Sequence, residues 1–463
     1  MLTWRLMPGE RHTLWHGRQL WIALLLLAGG SRVLLAQSGY TPPAHATLRG
    51  WEEQARLAIF DRSGSYFGRT SDRGILQRFN ERMDSEYHLD LISFDLSLSE
   101  VYDWYRRDNG ARVWAGSINH LQLVQRAEFK AAVGLGDGWA AAASFNHQET
   151  LETRRSLVQL HFRKRLLDGR AQAFLLGTAK AQKPETDLEL GFTWSSRLGD
   201  LTVAIAALDL FSDFIYQSLE VAAGLADTAL DYTAHPYTAR VALELSPSRH
   251  LRAEAYALAM SPTTVEAQSQ TDPEEGFRQD ERYAYAGGLL EWTPSRRTAL
   301  GGFGTWVRAR LVRSQQRSPE DDFDLTEQTW RLGLYAIHRF WDRFSTEAWL
   351  ARVWRTEDRL RPDTTVVPNI NYEDRAWEGS GIFAYRAYRG FRAELALEFA
   401  ARDLLGPDRL PGGFEAEHSR LRLDLGWHFG QRALVMLGVN LDLDGDGKAP
   451  NFDGGHGRCI LYW

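Results

Sequence analysis

The 463-residue sequence contains a single cysteine, Cys459, so it has no internal disulfide bond. A chain of this size without a disulfide must gain its stability in another way. The sequence also lacks long apolar runs: the strongest covers only residues 20–30, whereas a helix that crosses a membrane needs about 20 apolar residues. The mean hydropathy of −0.38 agrees with this. These absences exclude a helical membrane protein.

Motifs for catalysis and for buried metal sites are also missing. The sequence has no G-x-S-x-G, no H-E-x-x-H and no cysteine pair. His418 and Asp424 share a strand face but lie about 20 Å apart along the strand. We therefore do not expect an enzyme.

The apolar run at residues 20–30 has the flanks of an export signal. It follows Arg5, Arg11 and Arg18 and precedes the small residue Ala36. A basic start, a short apolar centre and a small residue at the end are typical of a secretory signal. We expect residues 1–36 to form a signal peptide that is cleaved after Ala36.

The last part of the chain alternates between apolar and polar residues. From residue 419 to residue 429 the odd positions are mostly apolar, and the even positions carry Arg420, Arg422 and Asp424. Successive side chains of a strand lie on opposite faces, so one face is apolar and the other is charged. Such charges leave no dry core for a second sheet. In a transmembrane barrel, by contrast, lipid covers the apolar face and water fills the inside.

Short turns alternate with longer polar segments from Tyr87 onward. The short turns include Gly136-Asp137-Gly138 and Gly430-Gln431-Arg432. The first strand is expected near residue 88, and Asp108-Asn109-Gly110 is a turn signal between this strand and the next. The sequence predicts an all-β fold, a transmembrane antiparallel up-and-down β-barrel of about 18 strands (about 16–20), with short periplasmic turns and longer extracellular loops. This barrel covers residues 87–463. Residues 37–86 do not alternate and are expected to form a periplasmic segment or a small plug.

The end of the chain carries a terminal-strand motif, with Leu461 and the aromatic Trp463 after Gly457. Together with the export signal and the alternating turns, this resembles the bacterial outer-membrane β-barrel class, with a porin-like layout. The resemblance identifies no specific family. It implies an outer-membrane location, lipid as a partner, and recognition of the last strand by the barrel assembly machinery.

Strand parity predicts which charged side chains line the lumen. They are Arg126, Lys130, Arg163, Arg165, Arg240, Arg252, Arg308, Arg310, Arg392, Arg420, Arg422, Glu244, Glu254, Glu394, Glu398 and Asp424. Basic groups outnumber acidic ones in this set, and a row of arginines offers successive weak sites to an anion. Alternatively, neighbouring Arg and Glu residues neutralise one another as cross-strand pairs.

One loop has the spacing of a calcium site. Asp442, Asp444 and Asp446 precede Gly447, and Asp453 follows at the twelfth position. Hard oxygen ligands at this spacing suit Ca²⁺, although a plain Asp/Gly-rich hairpin loop has the same composition. No other cofactor is expected.

These observations favour an outer-membrane channel that passes small polar solutes, with a mild preference for anions. The alternative is a closed outer-membrane barrel that serves surface binding, assembly or polysaccharide attachment. An outer-membrane hydrolase is the least favoured function. None of these functions requires a nucleic-acid partner.

Overall fold

The computed structural model describes Trp104 and most of the chain from residue 108 to the end. The described ranges are 108–118, 122–149, 154–180, 186–208, 210, 215–216, 228–269, 276–315, 322–341, 343–360, 370–387, 389–405, 414–430, 432–443 and 451–463. The predicted signal peptide, the segment at residues 37–86 and the predicted strand near residue 88 lie outside these ranges. No helix in the described ranges is long and apolar enough to cross a membrane.

The described residues form 21 strands and a 3-10 turn at Leu167–Gly169. The strands are β1 (Gly110–Ile118), β2 (Gln122–Gly136), β3 (Trp139–Glu149), β4 (Arg154–Leu166), β5 (Ala171–Lys180), β6 (Thr186–Ser195), β7 (Gly199–Ala207), β8 (Ile215–Tyr216), β9 (Thr228–Ala234), β10 (Tyr237–Ser248), β11 (Leu251–Met260), β12 (Thr263–Ser269), β13 (Gly276–Ser295), β14 (Thr298–Gln315), β15 (Phe323–Trp341), β16 (Phe344–Leu360), β17 (Ile370–Arg386), β18 (Phe391–Leu405), β19 (Phe414–Phe429), β20 (Ala433–Asp442) and β21 (Asn451–Tyr462).

Eighteen of these strands form one closed antiparallel barrel. The short strands β8, β9 and β12 lie outside this ring, because β7 pairs with β10 and β11 pairs with β13. The ring closes where β1 pairs with β21, from Gly110 opposite Tyr462 to Gly116 opposite His456. Closure removes every free strand edge, which is what a sheet needs in a medium that offers no hydrogen bonds.

The predicted barrel and its strand number are confirmed. The first strand is not the predicted one near residue 88, however. It is Gly110–Ile118, which completes the ring by pairing with both β2 and β21. The Asp108-Asn109-Gly110 motif suggested a turn between two strands, whereas Gly110 is the first residue of β1. The sequence predicts the other strands to start near residues 119, 139, 155, 171, 187, 201, 237, 250, 282, 297, 327, 345, 373, 391, 416, 433 and 457. Each of these barrel strands begins within about six residues of that position.

The outer face of the barrel carries an apolar belt with aromatic borders. Leu332 and Leu334 on β15 are 52% and 70% exposed, and Trp330 and Trp341 lie on either side of them. These two tryptophans are 11 residues apart, or about 36 Å along the strand and about 27 Å across a sheet tilted by about 40°. This matches the height of the apolar band of membrane barrels, about 25 Å.

The strands β13–β17 continue beyond this belt at the loop end of the barrel. A row of outward tryptophans marks its border, since Trp330 lies opposite Trp306 on one side and Trp354 on the other. Beyond the row, the outer face of the same strands carries charged residues, including the ion pair of Arg310 with Asp324. These strands therefore leave the apolar belt before they end.

Candidate functional site

The candidate site is the inner surface of the barrel, which has two walls of different chemistry. We call the inward side chains of β18–β21, β1 and β2 the charged wall. The inward side chains of β11 and β13–β15 form the aromatic wall. In the closed ring these two groups of strands are separated by β16 and β17 on one side and by β3–β7 and β10 on the other, so they line different sides of the lumen.

Asp424 lies at the centre of the charged wall and has no solvent exposure. One of its carboxylate oxygens is 2.6 Å from His456 Nε2, and the other is 3.0 Å from Arg422 Nε. The indole of Trp114 stacks on the His456 ring, with 5.7 Å between the centroids. The Asp424 carboxylate is thus held by side chains of β19 and β21, and Trp114 on β1 supports one of them.

Two further carboxylates extend this network. Glu394 accepts hydrogen bonds from Arg392 and from Arg458, whose Nη2 lies 2.6 Å away. Glu398 accepts a hydrogen bond of 3.1 Å from Arg422. All of these side chains are buried, so the arginines and carboxylates are held in a fixed arrangement rather than moving freely in water.

A second group of ion pairs lies on the neighbouring strands β1 and β2. Glu128 accepts hydrogen bonds from both Arg112 and Arg126. Lys130 donates to the backbone carbonyl of Trp104, and the Trp104 ring lies under the cations of Arg112 and Lys130. Trp104 precedes β1, so the chain enters the lumen before the first strand begins.

The aromatic wall lines another side of the lumen and contains tyrosines and a phenylalanine. Tyr256 and Tyr285 meet edge to face at 5.8 Å, and Phe303 and Tyr335 belong to the same buried cluster. Tyr335 donates a hydrogen bond of 2.6 Å to Glu291, which gives the apolar surface a polar point. Rings with one polar edge suit ligands that carry both apolar and hydroxyl or carboxylate groups.

Ion pairs also occur on the rest of the inner face, including the strands β11 and β15 of the aromatic wall. Arg240 on β10 donates two hydrogen bonds to Glu189 on β6, the shorter of 2.6 Å. Arg252 pairs with Glu254 and lies 3.5 Å from Glu244. Arg331 donates a hydrogen bond of 2.8 Å to Glu378. Cross-strand charge pairing is thus a property of the whole inner face.

The inner face is packed rather than fully hydrated. A barrel of 16–18 strands is wide enough to hold an aqueous channel. Even so, Asp424 and Ala396 are completely buried, and Glu394 and Met436 are only 1% exposed. Any passage through this interior is therefore narrower than the backbone ring.

The structure places most of the predicted lumen residues on the inner face. These are Arg126, Lys130, Arg163, Arg240, Arg252, Arg392, Arg420, Arg422, Glu244, Glu254, Glu394, Glu398 and Asp424. Arg165 shares this face but lies exposed at the short-turn end of β4. The charged wall brings together those that lie on β2, β18 and β19, whereas Arg163, Arg240, Arg252, Glu244 and Glu254 lie elsewhere on the ring.

The prediction was wrong for Arg308 and Arg310, which lie on the outer face. On β14 the inward residues are Phe303, Thr305 and Ala309, all buried. Both faces of this strand are apolar near the short-turn end, so the charges alone suggested an inward face. Arg308 and Arg310 are instead exposed beyond the belt, where an outward charge meets water and headgroups.

Sequence reasoning also missed several inward carboxylates and several inward basic residues. The missed carboxylates include Glu281, Glu291, Glu347, Glu357, Asp374 and Glu378, and the missed basic residues include Arg112, Arg313 and Arg458. The carboxylates lie mainly on β13, β16 and β17, so the acidic groups balance the excess of basic groups that the predicted set contained. The inner face is therefore not basic throughout, because acidic groups lie on some of its strands and basic groups on others.

The predicted calcium ligands are only partly described. Asp442 ends β20 opposite Asn451, and Asp453 lies within β21, which begins at Asn451. Asp444 and Asp446 lie outside the described residues. No cluster of three potential metal ligands occurs among the residues that the structure does describe. The calcium site stays a prediction.

No family model matches this chain, and no curated protein matches it in sequence. Solved structures of outer-membrane proteins do resemble its fold. OmpT of Vibrio cholerae is 10% identical, with 76% of this chain and 96% of that chain covered and a TM-score of 0.35. The siderophore receptor PirA of Acinetobacter baumannii is 8% identical, with 77% and 80% covered and a TM-score of 0.38.

An outer-membrane channel of Pseudomonas putida F1 is also 8% identical, with 77% of this chain and 96% of that chain covered and a TM-score of 0.31. Because these TM-scores are low, the likenesses carry no argument about what this chain transports or binds. The fold is established by the closed sheet itself, and the function has to be argued from the inner face.

Proposed function

We propose that the protein is an outer-membrane channel that passes small polar solutes through a narrow lumen. The observation that carries this proposal is the charged wall around Asp424, Glu394 and Arg458. In a barrel that served only as a scaffold, well-packed apolar residues would stabilise the interior at least as well as buried ion pairs do. A wall of arginines and carboxylates can instead form hydrogen bonds with a polar solute, in place of the water that the solute loses when it enters the lumen.

The different chemistry of the charged wall and the aromatic wall indicates a class of substrate. The side chains of these walls are buried, so a solute that passes between the walls has to displace part of the packing. It then lies beside arginines and carboxylates of the charged wall and the rings of Tyr256, Tyr283, Tyr285 and Phe303. This combination suits small molecules with both polar groups and an apolar face. The arginines of the charged wall also support a mild preference for anions, although the acidic groups of β16 and β17 limit it.

Conductance tests this proposal directly. The purified and refolded protein is inserted into planar bilayers, and single-channel currents are recorded. We expect steady steps that are smaller than a barrel with an open 18-strand lumen would give, because the inner face is packed. Heat-modifiable migration on gels serves as the control for folding. Silence from correctly folded protein would contradict the channel.

The burial of the inner face favours one rival, a closed barrel that serves surface binding or assembly. In that case Asp424 and Glu394 fix the strands in place and no solute crosses. A closed barrel gives no conductance, and neutralising its charged wall changes stability only. The same bilayer recording therefore separates the two functions.

A further inference from the structure

Three arginines form a basic patch on the outer face at the loop end of the apolar belt. The patch consists of Arg282 on β13 and of Arg308 and Arg310 on β14, all exposed. Arg308 lies two residues beyond Trp306 on the same face, about 7 Å further along the strand. Tryptophans of membrane barrels lie at the level of the lipid headgroups. The patch therefore lies at or just beyond that level.

The arginines of the patch lie close to one another. Arg282 is directly opposite Arg310 in the pairing of β13 with β14, and Arg308 is opposite Ala284. Arg282 and Arg308 are thus diagonal neighbours, at a distance of about 7–8 Å. Like charges in such positions repel each other unless an anion lies between them.

The carboxylates near the patch are already engaged. Asp324 accepts a hydrogen bond of 2.9 Å from Arg310 Nε. Asp280 accepts a hydrogen bond from Thr264 and lies 3.8 Å from Arg278. Within the part of the chain that the structure describes, Arg282 and Arg308 have no carboxylate partner. Two guanidinium groups are consequently available to an anion from outside the protein.

We propose that Arg282 and Arg308, with Arg310 beside them, bind the phosphate of a lipid headgroup in the membrane leaflet at the loop end. Two guanidinium groups at this spacing present several N–H donors to one phosphate, and Arg–phosphate pairs are often bidentate. The acyl chains of the same lipid would lie against the outward residues Trp306, Gly304 and Leu332 below the patch. A free anion could use the guanidinium groups but not this apolar surface.

Native mass spectrometry of the protein in detergent micelles tests the proposal. The micelles contain either phosphatidic acid, which has a phosphomonoester headgroup, or zwitterionic phosphatidylcholine. We expect the protein to retain phosphatidic acid preferentially. The double variant Arg282→Gln/Arg308→Gln should bind it about thirtyfold more weakly, the change expected for two lost arginine contacts near a membrane surface.

A matched control has the same change of charge elsewhere. Arg170 and Arg197 are exposed at the short-turn end, and the variant Arg170→Gln/Arg197→Gln should retain phosphatidic acid as the unchanged protein does. Equal loss in both double variants, or retention unchanged in Arg282→Gln/Arg308→Gln, would overturn the proposal. Displacement of the lipid by millimolar inorganic phosphate would overturn it too, because the site would then be one for a free anion.

Discussion

His456 and Asp424 share a hydrogen bond of 2.6 Å across the glycine that separates their strands. Gly438 on β20 lies opposite Asp424 on one side and opposite His456 on the other. A Cβ atom at position 438 would collide with both side chains. The absence of a side chain at this position is therefore what allows residues on β19 and β21 to meet.

Replacing this glycine should destabilise the barrel. In Gly438→Ala the new methyl group must push Asp424 and His456 apart, and overpacking of this kind costs about 1–3 kcal/mol. The free energy of unfolding, measured by urea titration from lipid vesicles, should fall by that amount. Gly177→Ala is the matched control, because its Cβ would meet nothing within 4 Å. An equal loss in the two variants would contradict the role of Gly438.

Glu394 provides a second test of the charged wall. Its carboxylate joins Arg392 on its own strand to Arg458 on β21. Glu394→Gln keeps the shape but leaves two buried arginines without this counter-charge, so we expect a loss of about 3–5 kcal/mol in the free energy of unfolding.

The control for Glu394 is Glu373→Gln. Glu373 pairs with Arg375, but their side chains are 35% and 43% exposed. Exposed pairs contribute about 0–1 kcal/mol, so this variant should unfold almost as the unchanged protein does. If Glu394→Gln lowered the free energy of unfolding as little as Glu373→Gln, the network would be hydrated and would not hold the strands together.

The sequence predicted the barrel because the alternation of residues on strands such as β19 leaves only one workable geometry. Leu423 and Leu425 face lipid, and Arg422 and Asp424 face inward, so the inward side of β19 could be read directly. The ring closure through β1 could not be predicted in this way. Residues 110–118 contain only one charged residue, Arg112, and follow an Asp-Asn-Gly motif that more often marks a turn.

The wrong prediction that Arg308 and Arg310 face the lumen has a different cause. Strand parity assigns one face to lipid along the whole strand, but β14 is 18 residues long and extends past the apolar belt. Beyond Trp306 the outer face is no longer apolar, so charge there indicates water and headgroups. The partners on the charged wall were also beyond prediction, since His456 and Asp424 are 32 residues apart in the chain.

Cys459 should face lipid. It lies opposite Val435 on β20, and the outward neighbours Val435 and Leu461 are 40% and 44% exposed. In vesicles, a charged maleimide that cannot cross the membrane should fail to label Cys459, whereas urea-unfolded protein should be labelled fully. Ser196→Cys, in an exposed turn, is the positive control and should react in vesicles that present the short-turn end. Labelling of Cys459 in folded protein would place it in water.

Ion selectivity should depend on the charged wall and not on the outer face. Arg420 and Arg422 are inward and buried, and Arg422 bonds Glu398 and Asp424. The double variant Arg420→Gln/Arg422→Gln removes two positive charges from the lumen, so the reversal potential in a salt gradient should shift towards cation preference. Heat-modifiable migration checks that the variant still folds.

The matched control for selectivity is Arg308→Gln/Arg310→Gln, which removes the same charge from the outer face. Its reversal potential should equal that of the unchanged protein, because charges on the far side of the sheet are screened by water and headgroups over about 8–10 Å. A shift in the control and none in Arg420→Gln/Arg422→Gln would mean that the current does not pass along the charged wall. The charged wall would then have to be abandoned as the conduction path of this barrel.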